Sequence, residues 1–349
     1  MVSSLQNKKI LFLCPLFFNY HKKIMRAMES MGAEVDYFDE RPSNTVFSKA
    51  LLRINRNFVT GQINRYYEEI TSKITNKKYD YIFICQAEAT PQFFLKKVKE
   101  LNPQARMVLM LWDSVANKVN TLEKLEYFDE VFSFDKQDCE KFGLIFRPLF
   151  FDIEYEQIAK EKTELYYDLF FVGTVHSDRY RILTEVREQF EKNHLKVFYY
   201  LFLPSKLMYY QRKWFTSDVK GSKISEFSFV GLPSDQLTAK LKQSKAVVDI
   251  QHPKQTGLTM RTIEMLGANK KMITTNEEIK KYDFYHPNNI CVVDRNHVVV
   301  PTEFMTTPYV SVDEEVKERY SIQYFVKDIL GITGEEGYNF FSKASGGQQ

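Results

Sequence analysis

Short apolar runs recur along the chain, bounded by polar turns, and stretches with apolar residues every three or four positions separate them. Residues 9–14 are almost continuously apolar, the pattern of a strand buried on both faces of a parallel sheet. Residues 21–31 carry helical periodicity and stop at Gly32, a residue suited to a helix C-terminus. Further strands are predicted at 34–38, 79–85, 106–112 and 130–134, with helices at 45–75, 91–101 and 119–127. The alternation restarts with strands at 168–172, 196–202, 227–230, 246–250 and 272–274, separated by helices at 179–193, 234–242 and 259–266. A helical segment at 312–330 ends the pattern. Such alternation predicts doubly wound α/β sheets of parallel strands.

At 349 residues the chain exceeds the size that one hydrophobic core serves, so two domains are expected. The pattern places one at 1–150 and the other at 168–311. Residues 151–167 read as a charged linker, 312–330 as a closing helix and 331–349 as a fraying tail. In open α/β sheets ligands bind beyond the carboxyl ends of the strands, so two such sheets facing a cleft would hold two ligands opposite each other.

Composition narrows the class. With 44% hydrophobic and 27% charged residues, a largely disordered chain is excluded. A net charge of +3 is too small for a nucleic-acid binder that neutralises many phosphates. Cys14, Cys85, Cys139 and Cys291 form no CxxC pair, the pattern of buried thiols in a reducing compartment. No apolar run reaches the ~18 residues of a membrane span. Lys8-Lys9 before an apolar run mimics an export signal, but Pro15 interrupts it and a small-residue cleavage site is lacking. A cytoplasmic protein is therefore expected.

The densest candidate chemistry lies at 249–264. A strand ends, a polar loop carries His252, and a helix starts after Gly257 and Leu258 with Thr259 at its cap. A helix start offers N–H groups and the positive dipole end to a phosphate. Arg261 adds a charge-assisted contact, and Glu264 can accept hydrogen bonds from ribose hydroxyls. An ordinary capped helix has the same pattern. A second loop, Gly173-Thr174 with Arg179 beyond it, offers N–H, hydroxyl and guanidinium donors, or is a plain strand-to-helix turn. A third, at Gly231, suits a nucleobase or is a simple turn.

The run Gly257-Leu258-Thr259-Met260-Arg261-Thr262-Ile263-Glu264, with Leu111-Trp112-Asp113-Ser114, Arg147-Pro148-Leu149 and Phe171-Val172-Gly173-Thr174, resembles GT-B glycosyltransferases. It is most similar to the bacterial capsule and lipopolysaccharide group, including the CgeB-like enzymes. The resemblance implies two Rossmann-like domains facing a cleft. The C-terminal domain would hold a nucleotide-sugar, UDP-linked by preference, and the acceptor would be a glycan or lipid-linked glycan. It implies no cofactor beyond that co-substrate. Many retaining members carry two glutamates eight positions apart here. Glu264 matches the second, but Thr256 stands at the first, which favours inversion. His252-Pro253 is similar to the His-Pro pair of CMP-sugar transferases, so a CMP-sugar stays an alternative donor.

Inverting transfer needs a general base for the acceptor hydroxyl. Asp113, after the strand at 106–112, ranks first; Glu88 follows the strand at 79–85, and His21 the first strand. The bland readings are a helix cap, loop decoration and a surface histidine. The carboxylates show no metal-ligand spacing. Asp39-Glu40-Arg41 reads as a salt-bridged turn. Residues 44–78 carry 7 Lys+Arg against 2 Glu, which suits an anionic membrane surface or, more simply, a solvated helix face. Residues 209–214 mix Tyr, Trp, Arg and Lys, a stacking surface or a partly buried segment. A nucleotide-sugar epimerase and a non-catalytic bilobal binder stay open as competing functions.

Overall fold

The computed structural model of the protein describes residues 5–17, 19–42, 56–115, 119–253, 255–334 and 337–342. The chain forms two compact units, 1–149 with 321–338, and 150–320 with 339–349.

The first unit runs β1 (Lys9–Leu13), α1 (Tyr20–Ser30), β2 (Glu34–Phe38), α2 (Arg56–Ile74), β3 (Tyr81–Cys85), α3 (Gln92–Leu101), β4 (Arg106–Leu111), β5 (Glu130–Ser133), α4 (Lys136–Phe142) and β6 (Ile145–Phe146). Its six strands are parallel in the order β2-β1-β3-β4-β5-β6. β1, β3 and β4 are buried from their second residue on, which is why their sequences are continuous apolar runs rather than alternating ones. Tyr67, Ile70 and Ile74 of α2 and Phe94, Leu95 and Val98 of α3 pack on one face of this sheet.

The second unit contains α5 (Ile153–Lys160), β7 (Tyr167–Thr174), α6 (Arg179–Lys192), β8 (Val197–Phe202), α7 (Lys206–Phe215), β9 (Phe227–Ser228), α8 (Ser234–Lys242), β10 (Ser244–Asp249), α9 (Met260–Gly267), β11 (Lys271–Thr274), β12 (Ile290–Val292) and α10 (Glu314–Glu318). The strands are again parallel, in the order β9-β8-β7-β10-β11-β12. Counted along the unit this is 3-2-1-4-5-6, the Rossmann order, and it reverses direction between β7 and β10.

Local structure departs from the sequence pattern in several places. The 119–127 segment is a 3-10 helix, and α4, β6 and α7 are additional elements. The charged stretch after residue 150 contains α5, capped by Asp152 accepting from the Ile153 N–H at 2.8 Å. Ile158 buries α5 in the second unit, where Phe151 lies against Gly267; a Cβ there would stand 2.5 Å from the Phe151 ring. The segment at 312–330 is two helices, α10 and α11 (Ile322–Ile329), and α11 belongs to the first unit. There Asp328 meets the fully buried Arg147 at 3.0 Å, with its guanidinium over the Tyr324 and Phe325 rings.

Candidate functional site

The switch point of the second sheet gathers most of the phosphate-binding candidates. Asp249 closes β10 and is buried. Its Oδ2 accepts the Thr259 hydroxyl at 2.6 Å and the Thr262 hydroxyl at 2.7 Å. Thr259 in turn caps α9, accepting the Thr262 N–H at 3.2 Å. One buried carboxylate thus ties the strand end to the helix start, and Leu258, 2% exposed, anchors the loop between them. This fixes the positive end of the α9 dipole at the carboxyl edge of the sheet.

Four guanidiniums surround that edge. Arg179 donates to the Thr174 carbonyl at 2.7 Å and to the Ile250 carbonyl at 3.1 Å. Arg261 donates to the Val172 carbonyl, and Arg212 to that of Val175. Arg295 donates to the Gln251 carbonyl at 2.9 Å and pairs with Asp178 at 2.6 Å. Arg179 and Arg261 both lie over the Phe171 ring, at 5.8 and 5.3 Å from its centre. Burial and then the Arg261 charge lower the Arg179 pKa to about 10, so it stays protonated at neutral pH. Set against the carboxylates of Asp249, Asp178 and Asp218, the four guanidiniums leave a positive excess held by fixed partners, which suits an oxyanion. Gly173 belongs to the same place: a Cβ would stand 3.1 Å from Phe171 and 3.6 Å from Arg261.

His176 and His252 stand with ring centres 5.7 Å apart above these arginines. Burial holds the His176 pKa down to about 4, helped by Arg179, His252 and Arg212. The unfolded chain therefore takes up this proton first as pH falls, so the associated stabilisation is full above about pH 6.5 and is lost as pH falls towards 4. We expect the thermal midpoint of His176→Phe to fall less between pH 7 and pH 4.5 than that of the parent. Equal falls would assign the acid limb to other groups.

Glu264 lies one turn into α9, half-buried, with Tyr155 of α5 as its hydrogen-bonding neighbour; burial and Glu264 both raise the Tyr155 pKa. Gly231 stands apart. It follows β9, the edge strand, two strands away from β7, and is exposed with open space where a Cβ would be.

In the first unit the switch point lies between β1 and β3. His21 and Glu88 flank it, and Asp113 follows the next strand, β4. The His21 ring is 5% exposed and stacks on Tyr37 at 5.1 Å, with its pKa lowered by burial. Glu88 pairs with Arg41 at 2.8 Å. Asp113 is half-buried, its Oδ1 accepting the Ser114 N–H at 3.0 Å. Gln86 and Ala87 shape this rim with positive φ values of 74° and 51°. With its amide oxygen turned towards them, Gln86 accepts the N–H groups of Trp112 and Asp113 at 2.8 and 2.9 Å.

The turn at 39–41 is indeed salt-bridged. Arg41 reaches Glu40 at 3.7 Å as well as Glu88. Glu40 is buried and accepts the Thr90 N–H at 3.0 Å, and burial raises its pKa to about 7. Lys49 and Arg53 of the basic 44–78 stretch lie outside the described residues. Among the described residues no His, Cys, Asp or Glu group has a metal-binding arrangement, and no helix is long and apolar enough to cross a membrane.

Sequence reasoning did not single out Asp249, Arg212, Arg295 and His176 as a group. Asp249 had a local signal, a carboxylate at a strand end ten residues before a threonine cap. Arg295 arrives from the loop after β12 and Arg212 from α7, and only the tertiary fold brings them in.

No protein-family profile and no curated protein sequence matches the chain. Solved structures do. An α,α-trehalose-phosphate synthase (UDP-forming) from Burkholderia xenovorans, in complex with glucose-6-phosphate, has a TM-score of 0.62 at 10% identity, covering 93% of this chain and 100% of that one. An α-glucosyltransferase in complex with UDP and a 13-mer DNA has a TM-score of 0.59 at 13% identity, covering 93% and 96%. A glycosyltransferase from Rickettsia africae has a TM-score of 0.57 at 10% identity, covering 93% and 97%. At such identities the likeness shows the fold, and the fold is GT-B, built from two Rossmann-like units.

Proposed function

We propose that the protein is a glycosyltransferase that takes a nucleotide-sugar, a UDP-sugar by preference, and transfers its sugar to a glycan or lipid-linked glycan of a bacterial surface polymer. The observation that carries this reading is the ring of arginines at the β7–β10 switch point, closed by the start of α9. That site fits a nucleoside diphosphate in charge and position. The UDP-forming synthase and the UDP-bound glucosyltransferase share the fold and support the choice of nucleotide.

Arg179, Arg261 and the N–H groups at the start of α9 would hold the diphosphate, aided by Gly173, Thr174 and Gly257. Glu264 would accept the ribose hydroxyls. Asp113 is assigned as the base from its place at the carboxyl edge of the sheet, directly after β4; Glu88 pairs with Arg41, and His21 is buried. Asp113 removes the acceptor hydroxyl's proton as that oxygen attacks the anomeric carbon. The bond from that carbon to the diphosphate breaks, and the arginines take up the developing negative charge. Attack on the face opposite the leaving group inverts the centre, consistent with Thr256 in place of a first glutamate.

Calorimetry with UDP, GDP, CMP and dTDP tests the site, and a mass-spectrometric screen of nucleotide-sugars for slow sugar release tests the activity. UDP is expected to bind, and CMP binding instead would move the donor to the CMP class. If no nucleotide binds at millimolar concentration, the reading fails. Glu264→Ala is expected to weaken UDP by about 1–2 kcal/mol, roughly five- to thirtyfold, with little effect on uracil alone. Equal losses for both would mean that Glu264 acts on α5 packing rather than on ribose.

A further inference from the structure

The aromatic and basic stretch at 209–214 is part of α7, a helix with one face buried and the other exposed, which is the partly buried segment of the sequence reading. Ser205 caps the helix, accepting the Met208 N–H at 3.1 Å. The inner face is fixed: Tyr209 is buried and donates to the Ser222 carbonyl at 3.0 Å, and Arg212 reaches the Val175 carbonyl. The outer face is apolar. Leu207 is 78% exposed, Tyr210 41%, Trp214 71% and Phe215 78%. Leu207, Tyr210 and Trp214 recur at i, i+3 and i+7, which puts them on one stripe of the helix. The Tyr210 and Trp214 ring centres lie 5.5 Å apart along it, with the planes tilted by 33°.

The charge carried by this segment is mostly positive. Between residues 206 and 223 the chain carries five basic residues (Lys206, Arg212, Lys213, Lys220, Lys223) against one acidic, Asp218, which faces Arg212 at 3.6 Å. Lys206, Lys220 and Lys223 are exposed.

We propose that the outer face of α7 docks the protein on an anionic lipid bilayer, with Trp214, Phe215 and Leu207 entering the interfacial layer and the lysines meeting the headgroups. Three features select this occupant. Trp and Tyr beside lysine are the side chains that settle at a bilayer interface, where an apolar ring and a polar tip are both satisfied. The rim is built of lysine, which protein–protein interfaces disfavour and anionic headgroups attract. The surface is the convex side of a helix, whereas sugars and nucleobases are held in concave sites. The proposal does not rest on the transferase reading, because docking needs no nucleotide.

The test uses the full chain with sucrose-loaded vesicles of phosphatidylcholine alone, or with phosphatidylglycerol added. Pelleting is expected to be roughly tenfold greater with the anionic vesicles. Trp214 is one of two tryptophans, so in a Trp112→Phe background its emission should shift to the blue on vesicle addition. The Trp214→Ser/Phe215→Ser pair should abolish pelleting, and Lys206→Glu/Lys220→Glu should abolish the preference for anionic lipid. All four positions are exposed, so an unchanged thermal midpoint is expected in both variants. No pelleting of the parent, or equal pelleting of the aromatic variant, overturns the proposal. So does a dimer in velocity sedimentation that Trp214→Ser dissolves without any vesicle binding, which would make a second copy the occupant.

Discussion

Replacing Asp113 with asparagine is expected to lower turnover by about 10²- to 10⁴-fold while leaving UDP affinity unchanged. The amide has the shape of the carboxylate and keeps an oxygen to accept the Ser114 N–H, so the end of β4 should keep its geometry. What it loses is the capacity to take a proton. The loss corresponds to about 3–5.5 kcal/mol in the barrier, well beyond what a half-buried, volume-conserving change costs in stability. UDP binding is read separately, because the proposed nucleotide site lies wholly in the second unit. Steady-state kinetics on whichever donor the screen identifies, with calorimetry on the same samples, distinguishes the two effects. Near-normal turnover of Asp113→Asn removes it as the base. If Glu88→Gln then shows the large loss, the base belongs to the Arg41-paired carboxylate instead.

How much of this was legible in the sequence depended on whether the signal was local. The centres of β1, β3, β4, β7 and β10 are buried on both faces, so each strand contains a continuous apolar run that needs no partner to be recognised. The start of α9 was readable for the same reason, since a cap, a glycine and an arginine within five residues define it. α7 was not, because its pattern is inverted: the exposed face carries Leu207, Trp214 and Phe215, while Arg212 turns inward to a carbonyl. Periodicity arguments assume that the apolar side faces the core. α5 was hidden by its charges, which mask Ile158, its one fully buried residue. The return of α11 to the first unit was not legible either. Its apolar face suits any sheet; its ties to the first unit are long-range in sequence, the buried Arg147 opposite Asp328 and Arg106 donating to the Leu330 carbonyl. The arginine ring shows the same limit. Arg179 and Arg261 sit beside recognisable loops, but Arg212 and Arg295 arrive from elements more than 30 residues away from either.

Arg261→Ala is expected to weaken UDP about 10- to 100-fold, the worth of a charge-assisted hydrogen bond lost from a partly buried site. In the structure Arg261 donates to the Val172 carbonyl and lies 5.3 Å from the centre of the Phe171 ring. Its charge is therefore held in place before any ligand arrives, and an arriving diphosphate bears little of the cost of ordering it. Arg179 stays protonated at neutral pH with or without this neighbour, so part of the positive field is retained and the loss should fall short of abolition. Three comparisons isolate the cause. Uridine, lacking phosphate, should bind parent and variant alike. Raising salt should weaken UDP binding to the parent more steeply than to the variant. Arg261→Lys should lie between them, since lysine keeps the charge but lacks the planar fork that can serve a carbonyl and a phosphate together. If Arg261→Ala holds UDP within twofold of the parent, the diphosphate does not sit at the start of α9. The site would then have to be sought among Arg179, Arg295 and His252.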